Sequence, residues 1–216
     1  MRRNDVMRAQ RTLVKICGLT RDEDVHAAAD AGADLVGFVL WPGSVRALPL
    51  ERAAALAAVA RSRGLESVAL VVDATPAELA ALAGFDRVQC HGAESCAALA
   101  AVRDLSARPV IKGFPFSPES LRAWDACPHV DWLLVDGPRG GSGQAFDHAA
   151  LVAHRSQIAK PIVLAGGLTA ENVAHAVRLV RPFAVDVSSG VERDRGIKDA
   201  RLIERFCRAV REVDAA

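Results

Sequence analysis

The sequence predicts one closed (β/α)8 barrel, and three observations lead to this fold class. Eight short apolar segments alternate with eight longer, Ala- and Leu-rich segments of helical spacing along the 216 residues. Several short segments, such as residues 68–72, are almost continuously apolar, as is typical of parallel strands covered by helices on both faces. No linker divides the chain, so the pattern favours a single barrel near the minimum length of that fold. An open, doubly wound sheet is the alternative that the same alternation allows.

The predicted strands are rich in β-branched and apolar residues and are bounded by proline and glycine. The first strand ends at Cys17, where the chain turns at Gly18. We expect the strands at residues 12–17, 34–40, 67–72, 87–91, 109–114, 131–136, 161–165 and 183–188.

The predicted helices begin at residues that can cap a first turn. Thr20 followed by Glu23 has the capping-box pattern, Thr75 and Ser117 each precede a proline, and Thr169 follows a Gly-Gly pair. We expect the helices at residues 21–31, 50–63, 76–83, 94–105, 118–126, 147–157, 170–180 and 199–212.

Charge and hydropathy exclude several classes of protein. The net charge of +1 suggests neither a nucleic-acid partner nor a membrane partner, and no apolar run approaches the length of a transmembrane helix. Residues 1–11 are basic but lack the apolar region of a signal peptide. We therefore expect a disordered N-terminal extension over 1–11, a barrel over 12–216, and a monomer.

The cysteines predict a reducing environment. Their number is odd and no C-x-x-C pair occurs, so we expect neither a disulfide framework nor a metal site, and a cytoplasmic location. The five cysteines are Cys17, Cys90, Cys96, Cys127 and Cys207.

Two reactive side chains end predicted strands on opposite sides of the barrel mouth. Parallel α/β proteins keep their chemistry at the carboxyl ends of the strands. Cys17 ends the first strand and Asp136 ends the sixth, so a base and an acid could bracket a small substrate. The alternatives are a buried structural cysteine and a helix-capping aspartate.

Glycines and hydroxyls follow the late strands and predict a phosphate site. A phosphate needs several converging backbone N–H groups, and glycine lets the backbone approach it closely. Ordinary turn glycines are the alternative, and no Walker or dinucleotide motif supports a nucleotide. The candidate phosphate ligands are Gly141, Ser142, Gly143, Gly166, Gly167, Ser188, Ser189 and Gly190.

An ion pair is predicted beneath the thiol. Side chains alternate along a strand, so Lys15 faces the barrel interior if Cys17 does. Asp186 has the same parity on the eighth strand, which must pair with the first when the barrel closes. We expect Lys15 and Asp186 to pair, either as scaffold alone or to stabilise the Cys17 thiolate.

Several motifs together resemble the phosphoribosylanthranilate isomerase family of tryptophan biosynthesis. The resemblance covers residues 12 to about 212, and its first and last motifs are the most specific. The matching segments are Lys15-Ile16-Cys17-Gly18-Leu19-Thr20, Gly32-Ala33-Asp34, Val36-Gly37-Phe38-Val39, Ser44 with Arg46, Val88-Gln89, His91-Gly92, Leu134-Val135-Asp136, Gly140-Gly141-Ser142-Gly143, Ala165-Gly166-Gly167-Leu168, Glu171-Asn172-Val173 and residues 185–192.

The resemblance implies a barrel that performs an Amadori rearrangement of a small phosphorylated substrate without a cofactor. By position, Cys17 would be the general base and Asp136 the general acid. Arg46 would hold the anthranilate carboxylate. The residue pattern without the resemblance equally allows a solvated surface arginine at this position. Gln89 and His91 would contact the substrate.

Three positions depart from the family pattern. Cys90 replaces the usual leucine and would add a second thiol near the site, the segment 136–140 is shorter than in many members, and Arg195 replaces a common proline. Two alternatives remain: a sugar-phosphate isomerase of histidine biosynthesis, which would carry aspartate at position 17, and a barrel that binds phosphate without catalysis.

Overall fold

The computed structural model describes residues 11–137 and 148–215, and these form a closed barrel of eight parallel strands. The strands pair in chain order, and β8 pairs with β1 to close the barrel, which excludes the open sheet. The strands are β1 (Leu13–Cys17), β2 (Leu35–Val39), β3 (Glu66–Val71), β4 (Arg87–Cys90), β5 (Val110–Pro115), β6 (Trp132–Asp136), β7 (Ile162–Leu164) and β8 (Ala184–Val187).

Each strand is followed by a helix. The helices are α1 (Asp22–Asp30), α2 (Leu50–Ser62), α3 (Pro76–Ala80), α4 (Cys96–Ser106), α5 (Pro118–Ala126), α6 (His148–Arg155), α7 (Val173–Val180) and α8 (Ala200–Asp214). A 3-10 turn (Ala81–Gly84) extends α3. After β8 come a second 3-10 turn (Ser189–Val191) and a short antiparallel hairpin of β9 (Glu192–Asp194) and β10 (Ile197–Lys198), which the sequence pattern did not predict.

Alternation along the strands divides the core into two layers. Leu13, Leu134 and Ala184 belong to a cluster inside the barrel, whereas Val14 and Val185 belong to the larger cluster between strands and helices. Several inward positions near the carboxyl ends, such as Lys15, Gln89 and Asp136, are polar, and they concentrate the chemistry at one end of the barrel.

Two helix starts differ from the prediction. The predicted capping box at Thr20 is wrong, because Arg21 is the N-cap of α1 and makes no side-chain cap bond. Helix α7 begins at Val173, since Asn172 accepts a hydrogen bond from the Thr169 N–H and holds that segment as a turn. The predicted caps by Thr75 and Ser117 are confirmed, and Thr75 also forms a capping box with Glu78.

The expectation of unpaired cysteines is wrong for one pair. Cys96 and Cys127 form a disulfide with their Cα atoms 5.8 Å apart, although 31 residues separate them in sequence. The fold brings the first residue of α4 close to the residue after α5, which sequence spacing cannot reveal. Cys17, Cys90 and Cys207 are free and buried.

The N-terminal border lies close to the predicted one. Arg11, which was assigned to the extension, donates a 2.9 Å hydrogen bond to Asp34, while residues 1–10 lie outside the described part of the chain. Within residues 11–137 and 148–215, none of the helices has both the length and the apolar character needed to cross a bilayer.

Candidate active site

A cavity of about 680 Å³ opens at the carboxyl ends of the strands, where the sequence predicted the site. Its lining contains the predicted base and acid, Cys17 and Asp136, on opposite sides of the barrel. Most other predicted site residues join them. These are Arg46, Gln89, His91, Gly166, Gly167, Ser188, Ser189 and Gly190. The predicted phosphate ligands Gly141, Ser142 and Gly143 lie outside the described residues.

Cys17 ends β1 with its side chain directed into the cavity. Its register partner on β2 is Gly37, and a Cβ atom added there would lie 2.8 Å from the Cys17 Sγ and 3.0 Å from the Lys15 Nζ. Only glycine at this position leaves room for both side chains, and the sulfur and the ammonium therefore share one small space.

Lys15 and Asp186 form the predicted ion pair. They are register partners across the β1–β8 seam, and the Lys15 Nζ lies 2.8 Å from the Asp186 Oδ1. Although burial opposes the charged form, Asp186 and Cys17 favour it, and the pKa of Lys15 is raised. Lys15 therefore keeps its charge inside the barrel, where its side chain is 2% exposed.

Opposing influences act on the Cys17 thiol. Burial raises its pKa, the Lys15 ammonium lowers it by charge and by hydrogen bonding, and Asp186 raises it again. The net pKa of Cys17 lies above its ordinary value. In this state of the site the thiol form predominates, and Lys15 is the neighbour that contributes most to stabilising the thiolate.

Asp136 ends β6 and faces Cys17 across the cavity. Its Oδ1 accepts a 2.7 Å hydrogen bond from the Gly137 N–H, and its Oδ2 lies 3.6 Å from the His91 Nε2. The carboxylate is 6% exposed, so it reaches the cavity without being freely hydrated.

Gln89 and His91 extend this side of the cavity along β4. The Gln89 Nε2 lies 3.2 Å from the His91 Nδ1. If the amide donates to Nδ1, the imidazole proton is on Nε2 and faces Asp136. Gln89 is buried, and its Oε1 lacks a hydrogen-bond partner among the described residues.

Arg46 lies in the loop after β2 and crosses over Gly18. A Cβ atom at Gly18 would collide with the Arg46 Cδ, and the φ of +75° there is the left-handed conformation that favours glycine. The guanidinium donates from Nε and Nη2 to Glu192 at 2.6 and 2.8 Å. Arg46 is therefore neither a solvated surface residue nor free, since part of its fork is already bound to a protein carboxylate.

Sequence analysis assigned no role to Glu192 and Lys198. Their opposite charges on either side of Gly196 are compatible with a hairpin pair, but a hairpin this short has a weak sequence signal. Conversely, Cys90 does not add a second thiol to the site. It points away from the cavity into the layer beneath the helices, where burial raises its pKa to about 12.

Comparisons with known proteins agree with this geometry. The family model of N-(5'-phosphoribosyl)anthranilate (PRA) isomerase matches residues 14–209. The chain belongs to the phosphoribosylanthranilate isomerase family. The family, and with it an isomerase of tryptophan biosynthesis, are therefore confirmed as predicted from the sequence.

Individual members of the phosphoribosylanthranilate isomerase family resemble the chain over nearly its full length. The isomerase of Chromohalobacter salexigens is 46% identical over 95% of this chain and 97% of its own, and that of Methylibium petroleiphilum is 44% identical over 95% and 96%. The crystal structure of the Thermus thermophilus isomerase has a TM-score of 0.84 at 35% identity, covering 94% of this chain and all of its own. Another solved isomerase, in complex with reduced 1-(o-carboxyphenylamino)-1-deoxyribulose 5-phosphate, has a TM-score of 0.79 at 33% identity over 93% and 99%.

Proposed function

We propose that the protein rearranges N-(5-phosphoribosyl)anthranilate with Asp136 as general acid and Cys17 as general base. The acid protonates the ribose ring oxygen, the C1′–O bond breaks, and a Schiff base forms with the anthranilate nitrogen. The base then removes the proton from C2′ to give an enolamine, which tautomerises to the ketone. Hydrogen is only relocated within the substrate, so the sequence of steps balances without an external oxidant or reductant.

One observation carries this assignment: a thiol and a carboxylate, which end β1 and β6, line one cavity from opposite sides. A proton donor and a proton acceptor on opposite walls can act on two positions of a substrate held between them. The neighbouring Lys15 supports the role of Cys17, because a positive charge beside the thiol stabilises the thiolate that must take the C2′ proton.

We assign the binding of the other substrate groups to further residues of the cavity lining. We assign the anthranilate carboxylate to the free N–H groups of Arg46, and Gln89 and His91 to substrate contacts beside Asp136. The phosphate is assigned to the ends of β7 and β8, where Gly166, Gly167, Ser188, Ser189 and Gly190 line the cavity with backbone amides and hydroxyls.

Turnover of freshly prepared N-(5-phosphoribosyl)anthranilate tests the function. We expect the substrate fluorescence to disappear with enzyme, and mass spectrometry to find a product of unchanged mass whose new ketone borohydride reduces. Tight binding of the reduced product analogue without any turnover would instead make the chain a binding barrel and would contradict the proposal.

The finer expectations of a monomer and of a cytoplasmic location stay part of this proposal, although the Cys96–Cys127 disulfide removes unpaired cysteines as an argument for the location. Among the described residues, the exposed large apolar side chains lie on separate elements apart from Trp41 and Val45 of one loop, which supports a monomer. Light scattering of the purified protein measures this directly, and a mass of two chains would contradict it. A solved relative from Thermotoga maritima is dimeric.

A further inference from the structure

Arg46 belongs to a buried cluster of three charged side chains, called here the Arg46 cluster: Arg46, Glu192 and Lys198. Glu192 accepts hydrogen bonds from the Arg46 Nε at 2.6 Å and from the Lys198 Nζ at 2.8 Å. The side chains of Glu192 and Lys198 are 5% and 0% exposed, and neither belongs to the cavity lining, whereas Arg46 does.

We propose that Glu192 and Lys198 are positioning residues, which aim Arg46 at the substrate carboxylate and leave the cluster with one uncompensated positive charge. The inference rests on the proposed role of Arg46 in binding that carboxylate. It concerns the β9–β10 hairpin, whose residues take no part in the proton transfers.

The hydrogen bonds determine which edge of the guanidinium is available. An arginine has five N–H donors, and Glu192 takes the one on Nε and one on Nη2. The Nη1 group and the second Nη2 hydrogen remain, and they form the end-on edge of the fork. Since Glu192 lies behind Arg46, a cavity ligand meets this remaining edge, which suits a planar carboxylate.

The charge count explains why a buried lysine accompanies the pair. Arg46 and Glu192 alone would sum to zero and would attract an anion weakly. Burial lowers the pKa of Lys198, but the hydrogen bond and the charge of Glu192 favour its ammonium form. With Lys198 as a second cation the cluster carries +1 in a site of low exposure, where charge interactions are strong. Burial raises the pKa of Glu192, but the hydrogen bonds from Arg46 and Lys198 outweigh it and lower that pKa to about 2, so Glu192 stays ionised.

The hairpin is tied to the strand end that carries the candidate phosphate ligands. The Lys198 Nζ donates to the Ser188 carbonyl at 3.0 Å and contacts the Ser188 Oγ at 3.2 Å, while the Gly196 N–H donates to Glu192 at 3.1 Å. The Arg46 cluster therefore has a fixed position relative to the end of β8, which would keep a constant distance between the carboxylate and phosphate sites.

The test compares two ligands on Lys198→Met. One is reduced 1-(o-carboxyphenylamino)-1-deoxyribulose 5-phosphate, and the other is the same compound without the carboxylate. We expect calorimetry to give a Kd at least about tenfold weaker for the first and much less changed for the second, because the lost charge belongs to the cluster that holds Arg46, and Arg46 is assigned to the carboxylate. Equal weakening of both ligands would overturn the proposal, since a scaffold or phosphate role predicts that result.

A double variant separates charge from position. Lys198→Met with Glu192→Gln returns the cluster to +1, so affinity for the carboxylated ligand should recover most of its loss. Its kcat should nevertheless fall below that of Lys198→Met, because the guanidinium is no longer held by a carboxylate. A double variant that binds no more tightly than Lys198→Met would overturn the charge argument.

Two further variants keep the test decisive. Should Lys198→Met fail to fold, Glu192→Gln alone replaces it, and this variant raises the charge of the cluster to +2. It should bind the carboxylated ligand at least as tightly as the unchanged protein does, while its kcat falls. Equal weakening of both ligands would again overturn the proposal. Arg46→Gln reports on the underlying assignment: an unchanged ligand preference there would contradict the carboxylate role itself. Lys160→Met is the matched control, because Lys160 also donates to backbone carbonyls, those of Trp124 and Cys127 near the end of α5, but does not belong to the cavity lining.

Discussion

The two sides of the cavity differ in how their charges are arranged. The side formed by β1, β8 and the hairpin holds Lys15 with Asp186, and Arg46 with Glu192 and Lys198, all within hydrogen-bonding distance of a partner. Across the cavity, Lys112 and Glu94 form an ion pair at 2.6 Å, but among the described residues Asp136 itself has only one backbone donor at 2.7 Å and a histidine nitrogen at 3.6 Å.

The proposed roles of Cys17 and Asp136 account for this difference. A buried thiol resists ionisation, so a base at Cys17 would need a positive charge next to the sulfur, and that charge needs its own partner. A carboxylic acid that donates a proton must be able to exchange that proton. A small number of fixed hydrogen-bond partners leaves the carboxyl group able to do so. Substitutions on the two sides should therefore have different signatures.

The largest effect should come from the reactive groups themselves. We expect Cys17→Ala and Asp136→Asn each to lower kcat at least about 10²-fold, because a positioned acid or base contributes about 10²–10⁴ to the rate. Binding of the reduced product analogue should change little in either variant, as calorimetry can check. Near-normal turnover in one variant would contradict the proposed role of the substituted residue in proton transfer.

Loss of the charge beside the thiol should come next. Lys15→Met removes the ammonium that lowers the pKa of Cys17, so that pKa should rise further. Because the thiolate is the active form, kcat/KM rises with pH through the Cys17 pKa, and the variant's profile should move to higher pH. At neutral pH this predicts about a tenfold loss, which shrinks as the pH is raised.

The control for this variant also replaces Asp186, which Lys15→Met leaves without its ion-pair partner. Lys15→Met with Asp186→Asn leaves no unpaired buried charge and should show the same direction of pKa change if Lys15 acts on the thiol. Alkylation rates of Cys17 against pH, with the other free cysteines replaced, report its ionisation. A folded double variant with an unmoved pKa would make the pair a scaffold only.

A smaller and more selective effect is expected at Arg46. Arg46→Lys keeps the charge but loses the planar fork, so it should weaken ligands that carry the carboxylate by about three- to tenfold. Phosphate affinity, measured with the ligand that lacks the carboxylate, should be retained. A similar loss for both ligands would mean that Arg46 acts on another part of the substrate.

The smallest effect should come from Gln89, which lies beside Asp136 and takes no direct part in the proposed proton transfers. Gln89→Met removes the amide that contacts the His91 Nδ1 but leaves Asp136 in place, so kcat should fall only a few-fold, by about the value of one neutral hydrogen bond. The pH profile should keep its Cys17 limb unmoved. A loss as large as that of Asp136→Asn would show that this side depends on its neighbours as strongly as the other does.

The strands and most helix starts could be predicted because their signals are local. Apolar runs between glycine and proline located all eight strands to within one or two residues, and side-chain parity along β1 and β8 was enough to predict the Lys15–Asp186 pair. Cys17 and Asp136 were predictable as facing groups because strand order determines the positions of strand ends in a barrel.

Only the tertiary structure decided the partners of the loop residues. The disulfide of Cys96 and Cys127 and the contact of Arg46 with Glu192 join segments 31 and 146 residues apart, and no local pattern records which loops meet over the barrel mouth. The same holds for the thiol, whose chemistry depends on a balance between burial and neighbouring charges. Sequence determines which groups are present and at which strand ends, whereas desolvation and pairing arise only when the chain has folded around them.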